Sequence, residues 1–278
     1  MGAATQIDST ADSHRPESVI RVRQLRKSFR TKLFRTVDAV RDVSFDLHRG
    51  ELLGILGANG AGKTTTIKLL MNLIRPSSGE IKIFGGSPRE LKARSKVGYL
   101  PEGPYFYDYL SGRELVLFMA RLSGLRGKAV AKRADMLFEQ LSLADAKSRS
   151  LRNYSKGMLQ KLGLIQAIIH DPDIIVLDEP LSGLDPVGRK VMREMIIEQR
   201  KQGKSILLCS HILPDVEAVA DRVIILADGK VVTSGRIDDL VKRGEDLEDL
   251  LVRHISSANI KSGSLESPVS QEASNGAV

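Results

Sequence analysis

Tryptophan is absent from this chain of 278 residues, cysteine occurs once, and the aromatic complement is seven Phe and five Tyr. A lone Cys209 excludes an internal disulfide framework and leaves a thiolate zinc site short of ligands, so a reducing, cytoplasmic setting is expected. Nowhere does an apolar run reach the roughly 20 residues that a membrane-crossing helix needs. Met1 to Glu17 is polar and has no apolar signal-peptide core, so any membrane role is expected to come through a separate polypeptide. Acidic residues are outnumbered, 34 Asp and Glu against 42 Lys and Arg, which gives a formal charge of +8 and suits an anionic partner. The basic stretch Arg21 to Arg35 reads as solvated surface, and no nucleic-acid partner is expected.

What is present points to one α/β domain. Hydrophobic residues make up 42% of the chain, enough for a substantial core. Met1 to about residue 18 and residues 256–278 are rich in Ser, Ala, Asn and Glu and read as disordered tails around a domain spanning 19–255. Val43, Phe45 and Leu47 alternate with Ser44, Asp46 and His48, the pattern of a half-buried strand. Leu52 to Leu56 is instead continuously apolar, as a strand covered on both faces must be. Ile174 to Leu177 and Ile206 to Cys209 repeat that pattern, and each leads into polar residues at what would be the carboxyl edge of a parallel sheet, where ligands bind. Val223 to Leu226, Asp228-Gly229 and Val231-Val232 read as a hairpin.

Gly57-Ala58-Asn59-Gly60-Ala61-Gly62-Lys63-Thr64 fits the pattern G-x-x-x-x-G-K-S/T, with a buried strand before it and Thr65, Thr66 and an amphipathic helix bearing Ile67, Leu70, Met71 and Ile74 after it. The glycines let backbone N–H groups turn inward around phosphates, and the helix N-terminus adds positive potential. Lys63 is suited to the β and γ oxygens of a nucleotide, and Thr64 to Mg²⁺. About 115 residues later, Ile174 to Leu177 ends in Asp178-Glu179, two carboxylates at a strand tip. Asp178 is placed to hold Mg²⁺, and Glu179 to polarise the attacking water as general base.

With these residues in hand the chain resembles the ATP-binding cassette family from about Val19 to Ile255. The most specific marker is Tyr154-Ser155-Lys156-Gly157-Met158, at the family's signature position, where Leu-Ser-Gly-Gly-Gln is usual. The resemblance implies a P-loop NTPase, RecA-like core with an antiparallel β subdomain and an inserted α-helical subdomain at about 103–170. It also implies ATP and Mg²⁺ as ligands, with Ser155 and Gly157 facing the ATP bound by a second ATP-binding subunit, most simply a homodimer partner. Ser155 is equally a plain N-cap. Ser182-Gly183-Leu184-Asp185 occupies the place of the dimer-contacting loop, and His211 that of the histidine that senses the γ-phosphate. Phe29 is expected to stack on adenine, with Phe34 as a rival.

Where the family usually has Gln, this chain has Glu102, a carboxylate in place of an amide near Mg²⁺ and the attacking water. Directly after it, Tyr105, Phe106, Tyr107 and Tyr109 fall within five positions. Their density suggests a partner surface, with filling of a subdomain core as the alternative. In the family this region receives a short helix of an integral membrane permease subunit, which implies a peripheral protein at the cytoplasmic face of the cell membrane. The signature and the run Ser210-His211-Ile212-Leu213 further resemble export-type subunits. The alternative is a soluble ATPase of the same family acting on ribosomes or nucleic acid. Translation factors of that kind commonly carry two cassettes, whereas one phosphate loop and one signature occur here. Chromosome ATPases insert a coiled coil for which about 115 residues leave no space.

Overall fold

The structure is a computed structural model that describes residues 17–30, 36–240 and 249. The expected tails thus fall outside the described residues, except that Glu17 pairs with Arg49 and Ser18 already opens the first strand. In chain order the elements are β1 (Ser18–Arg30), β2 (Thr36–His48), β3 (Leu52–Leu56), α1 (Lys63–Leu70), β4 (Ser78–Ile83), α2 (Leu91–Arg94), β5 (Val97–Leu100), α3 (Gly112–Leu122) and α4 (Lys128–Gln140). There follow α5 (Lys156–Ile168), β6 (Ile174–Asp178), α6 (Pro186–Lys201), β7 (Ser205–Cys209), α7 (Leu213–Glu217), β8 (Arg222–Ala227), β9 (Lys230–Arg236) and α8 (Ile237–Leu240).

The sheet runs β4-β1-β2-β9-β8-β3-β7-β6-β5. Strands β8, β3, β7, β6 and β5 are mutually parallel, with β9 antiparallel to β8, whereas β1 pairs antiparallel with β2 and β4; a single parallel bridge, Asp42 of β2 to Lys230 of β9, joins the two regions. The continuous apolar runs explain the parallel part. Successive side chains of a strand point to opposite faces, so Leu52 and Leu56 enter one core while Leu53 and Ile55 enter the other. Ile175 and Leu177 against Ile174 and Val176, and Ile206 and Leu208 against Leu207 and Cys209, divide in the same way. Helix α1 covers one face through Ile67, Leu69 and Leu70; α5, α6 and α7 cover the other. At Gly54 the helix side comes so close that a Cβ would stand 2.5 Å from Val216 Cγ1.

The segment between β5 and β6 carries α3, α4 and α5, which pack on one another around Leu115, Phe138 and Leu162. Helix α3 starts where Ser111 and Glu114 form a reciprocal capping box, satisfying backbone N–H groups that the first turn would leave open. Helix α1 is shorter than its apolar pattern suggests. Asn72 takes a left-handed conformation (φ 54°), which turns the chain away after Leu70 while Met71 and Ile74 still lean on the core.

Candidate active site

The parallel register sets the site. Cys209 of β7 pairs with Ile55 of β3 on one side and Asp178 of β6 on the other, so the carboxyl ends of three strands are level. From β3 the chain wraps through Gly57–Gly62 into α1. Gly62 has φ 102°, and a Cβ there would stand 2.5 Å from the Ala39 carbonyl, so the last turn before Lys63 accepts glycine alone. The Gly229 N–H, from the turn joining β8 and β9, donates to Ala61 O at 3.1 Å and braces the loop from outside. The result is a cleft of about 410 Å³. It is lined by Ala58, Asn59, Gly60, Gly62, Lys63, Thr64 and Thr65 of the phosphate loop and α1, by Glu102, Glu179 and His211, and by Ala39 of β2, which lies against the loop at Gly62. Lys63 is buried, and its ammonium donates to Gly57 O at 2.6 Å and Ala58 O at 3.2 Å. Phosphate oxygens entering the cleft would offer it charge-assisted partners in place of these neutral carbonyls.

Behind that wall Asp178 is fully buried. Thr64 Oγ1 donates to its Oδ1 at 3.4 Å, while Oδ2 is buried without a hydrogen-bond partner. Burial, reinforced by the negative charge of Glu102, pushes the Asp178 carboxyl up to about 6. The orphaned Asp178 oxygen, the Thr64 hydroxyl and the carboxylate of Glu102, which lines the cleft, are hard oxygen donors of the kind that Mg²⁺ accepts.

Glu179 lies at the turn out of β6 in a left-handed conformation (φ 51°), unusual for a residue with a side chain. Its N–H donates to Cys209 O at 2.9 Å, and its side chain is almost wholly buried. Oε2 lies 2.8 Å from His211 Nδ1 and accepts from Ser210 Oγ at 3.4 Å. The carboxylate and the histidine therefore meet at the mouth of the phosphate-loop cleft.

Comparison with known proteins identifies the family. The family model described as ABC transporter matches residues 40–182. An ABC transporter ATP-binding protein of Nostoc is 44% identical over 81% of this chain and 68% of its own length. NatA of Bacillus subtilis, an ABC transporter ATP-binding protein, is 39% identical over 80% of this chain and 94% of its own. The chain belongs to the ABC transporter family. It is an ATP-binding, ATP-hydrolysing subunit of such a transporter. The solved ATP-binding subunit of another ABC transporter superimposes with a TM-score of 0.77 at 32% identity, covering 85% of this chain and 99% of that one. A dimeric cassette bound to ADP and Pi shares the fold, with a TM-score of 0.72 at 22% identity, over 78% of this chain and 98% of that one.

In this ABC subunit, Ser155 and Gly157 do not line the cleft that holds Lys63. Ser155 caps α5, its hydroxyl accepting from Met158 N at 3.2 Å, and Gly157 abuts the Ser182–Asp185 loop, where a Cβ would stand 3.1 Å from Leu184 Cδ2. Asp185 caps α6, accepting from Gly188 N at 2.7 Å. Phe29 also stands apart from the cleft lining, on β1 with Lys27 Nζ 5.0 Å from its ring centre, and Phe34 lies outside the described residues. Of the aromatic cluster, Phe106 leans on the core, while Tyr105, Tyr107 and Tyr109 are 100%, 56% and 64% exposed. Tyr107 and Tyr109 wall a groove of about 520 Å³ with Leu110, Leu117, Phe118 and Arg121 of the α3 region. Among the described residues no helix is long and apolar enough to cross a membrane. Two participants escaped the sequence reading: Ala39, which meets the cleft only because β2 folds beside the phosphate loop, and Gln160, whose Nε2 donates to Glu179 O at 3.0 Å from inside α5.

Proposed function

We propose that two copies of this chain face head to tail and close on two ATP molecules, driving export through a separate membrane permease at the cytoplasmic face of the cell membrane. The meeting of Thr64, Asp178, Glu179 and His211 beside the phosphate loop supports the ATP-hydrolysing step at the centre of this reading. Each ATP is held by the loop from Gly57 to Thr65, with Lys63 on its phosphates, and by Ser155 and Gly157 of the partner subunit, with Asp185 in the loop between. Thr64, Asp178 and Glu102 would hold Mg²⁺, whose charge offsets that developing on the phosphate oxygens. Glu179 takes a proton from the water as the water oxygen bonds to the γ-phosphorus and the bond to the β–γ bridging oxygen breaks, so that ADP leaves with that oxygen, while His211 leaves Glu179 Oε2 for the γ-phosphate. Phosphate contacts made only in the closed dimer favour closure, and hydrolysis removes that difference, so the dimer reopens. The permease docks in the groove walled by Tyr107 and Tyr109, next to Tyr105 and Phe106, which neighbours the Glu102 loop and so senses the nucleotide. The export direction rests on the resemblance of Tyr154 to Met158 and Ser210 to Leu213 to export-type subunits. Purification of the native protein in mild detergent, with its companions identified by mass spectrometry, tests the reading: a multi-span membrane protein is expected, and recovery only with ribosomes or DNA would overturn it.

A further inference from the structure

Gln160 is a polar side chain in the middle of the apolar helix α5, and only 1% of its surface is exposed. Such a group persists where its hydrogen bonds are specific, and its bond is to the main chain of the residue read above as the general base. Glu179 O accepts from Gln160 Nε2 at 3.0 Å and from Ser182 N at 3.2 Å. The amide must present its NH₂ here, since a carbonyl oxygen only accepts. The left-handed backbone of Glu179 is thereby held from three directions: by Cys209 of β7 through its N–H, by its own turn through Ser182, and by α5 through Gln160. Of these three only α5 is capped by Ser155, and Gln160 lies five positions, about 7.5 Å of helix, beyond that cap.

We infer that Gln160 is a positioning residue for Glu179, fixing the backbone from which the base reaches its water and tying it to the helix end offered to the facing subunit. This deepens the dimer reading and rests on the assignment of Glu179 as base. A backbone free to relax from φ 51° would swing the carboxylate away from the attacking water, and a misplacement of about 1 Å is enough to cost about 100-fold in rate. Binding of ATP, which engages the phosphate loop, does not pass through this bond.

The test is steady-state ATP hydrolysis by the full chain, without a membrane partner, for wild type, Gln160→Met and Gln160→Glu, with Glu179→Gln alongside. Met keeps the length and loses the donor, so kcat is expected to fall at least about 10-fold while KM stays within about two-fold. In Gln160→Glu a protonated carboxyl can still donate to Glu179 O, whereas a carboxylate cannot. That variant is expected to work near wild-type rate at pH 6 and to lose at least about 10-fold by pH 9, on a limb absent from wild type. The Gln160→Glu profile carries the test if Gln160→Met does not fold. A wild-type kcat in Gln160→Met, or Gln160→Glu activity that tracks the wild-type pH profile, overturns the inference. Unaltered hydrolysis by Glu179→Gln overturns it by removing the base, a failure distinct from the other two, and none of these readouts depends on whether the subunit serves an exporter.

Discussion

Asp178 is destabilised by its own surroundings, and that makes a measurable prediction for the ligand-free protein. Its carboxyl is displaced from 3.8 in the unfolded chain to about 6 in the fold, first by burial and then by the charge of Glu102. Below pH 3.8 the group is protonated in both states and the cost vanishes; it grows as the pH rises towards 6 and is complete above that, where it amounts to about 3 kcal/mol. Asp178→Asn removes the charge while Asn Oδ1 can still accept from Thr64 Oγ1. The new amide nitrogen is left as unpartnered as Oδ2 is now, which takes back part of the gain. A net stabilisation of about 1 to 3 kcal/mol is therefore expected at pH 7.5, a rise in Tm of about 2–10 °C for a domain of this size.

Thermal unfolding of both proteins without nucleotide at pH 7.5 and pH 5 reads this directly. At pH 5 the wild-type cost is about half its neutral value, so the advantage of Asp178→Asn should shrink by about half. Saturating MgATP should reverse the order, because the cation removes the penalty in wild type and finds a poorer ligand in the variant. An Asp178→Asn protein that melts at or below wild type at pH 7.5, with the same difference at pH 5, would refute the reasoning.

Glu102→Gln is expected to retain ATP hydrolysis while shifting its Mg²⁺ titration, since one carboxylate leaves the cleft; coincident titrations would exclude Glu102 as a ligand. Tyr107→Ala, at a ring 56% exposed in the groove, should lower permease recovery several-fold and leave nucleotide affinity unchanged, as measured by co-purification and by titration with a fluorescent ATP analogue. Gly62→Ala should abolish nucleotide binding, because its methyl would stand 2.5 Å from Ala39 O at φ 102°; calorimetric binding within ten-fold of wild type would show that the loop has another way to close.

How far the site could be read in advance depends on the distance over which each residue is placed. The phosphate loop and the pair Asp178-Glu179 were legible because each sits where a strand pattern stops, so motif and local structure agree within about ten residues. Gln160 was illegible for the opposite reason: inside an apolar helix a lone glutamine has no local signature, and its meaning arises only when α5 packs beneath the turn at Glu179. Ala39 is equally silent, an alanine on an edge of β2 that becomes a wall of the cleft through tertiary contact. The aromatic cluster shows how a local signal can split. Density alone leaves the four rings open between a partner surface and the filling of a subdomain core, and the turn after Glu102 divides them: three stand in solvent, and Phe106, partly buried, leans on the core. Ser155 and Asp185 occupy a middle ground, because each helix cap accounts for its residue within one chain and leaves any service to a second subunit unmarked. The same division explains the energetics at Asp178: a sheet built for stability alone would end β6 in an apolar or amide side chain, so a buried carboxylate with an orphaned oxygen marks a site completed by a ligand.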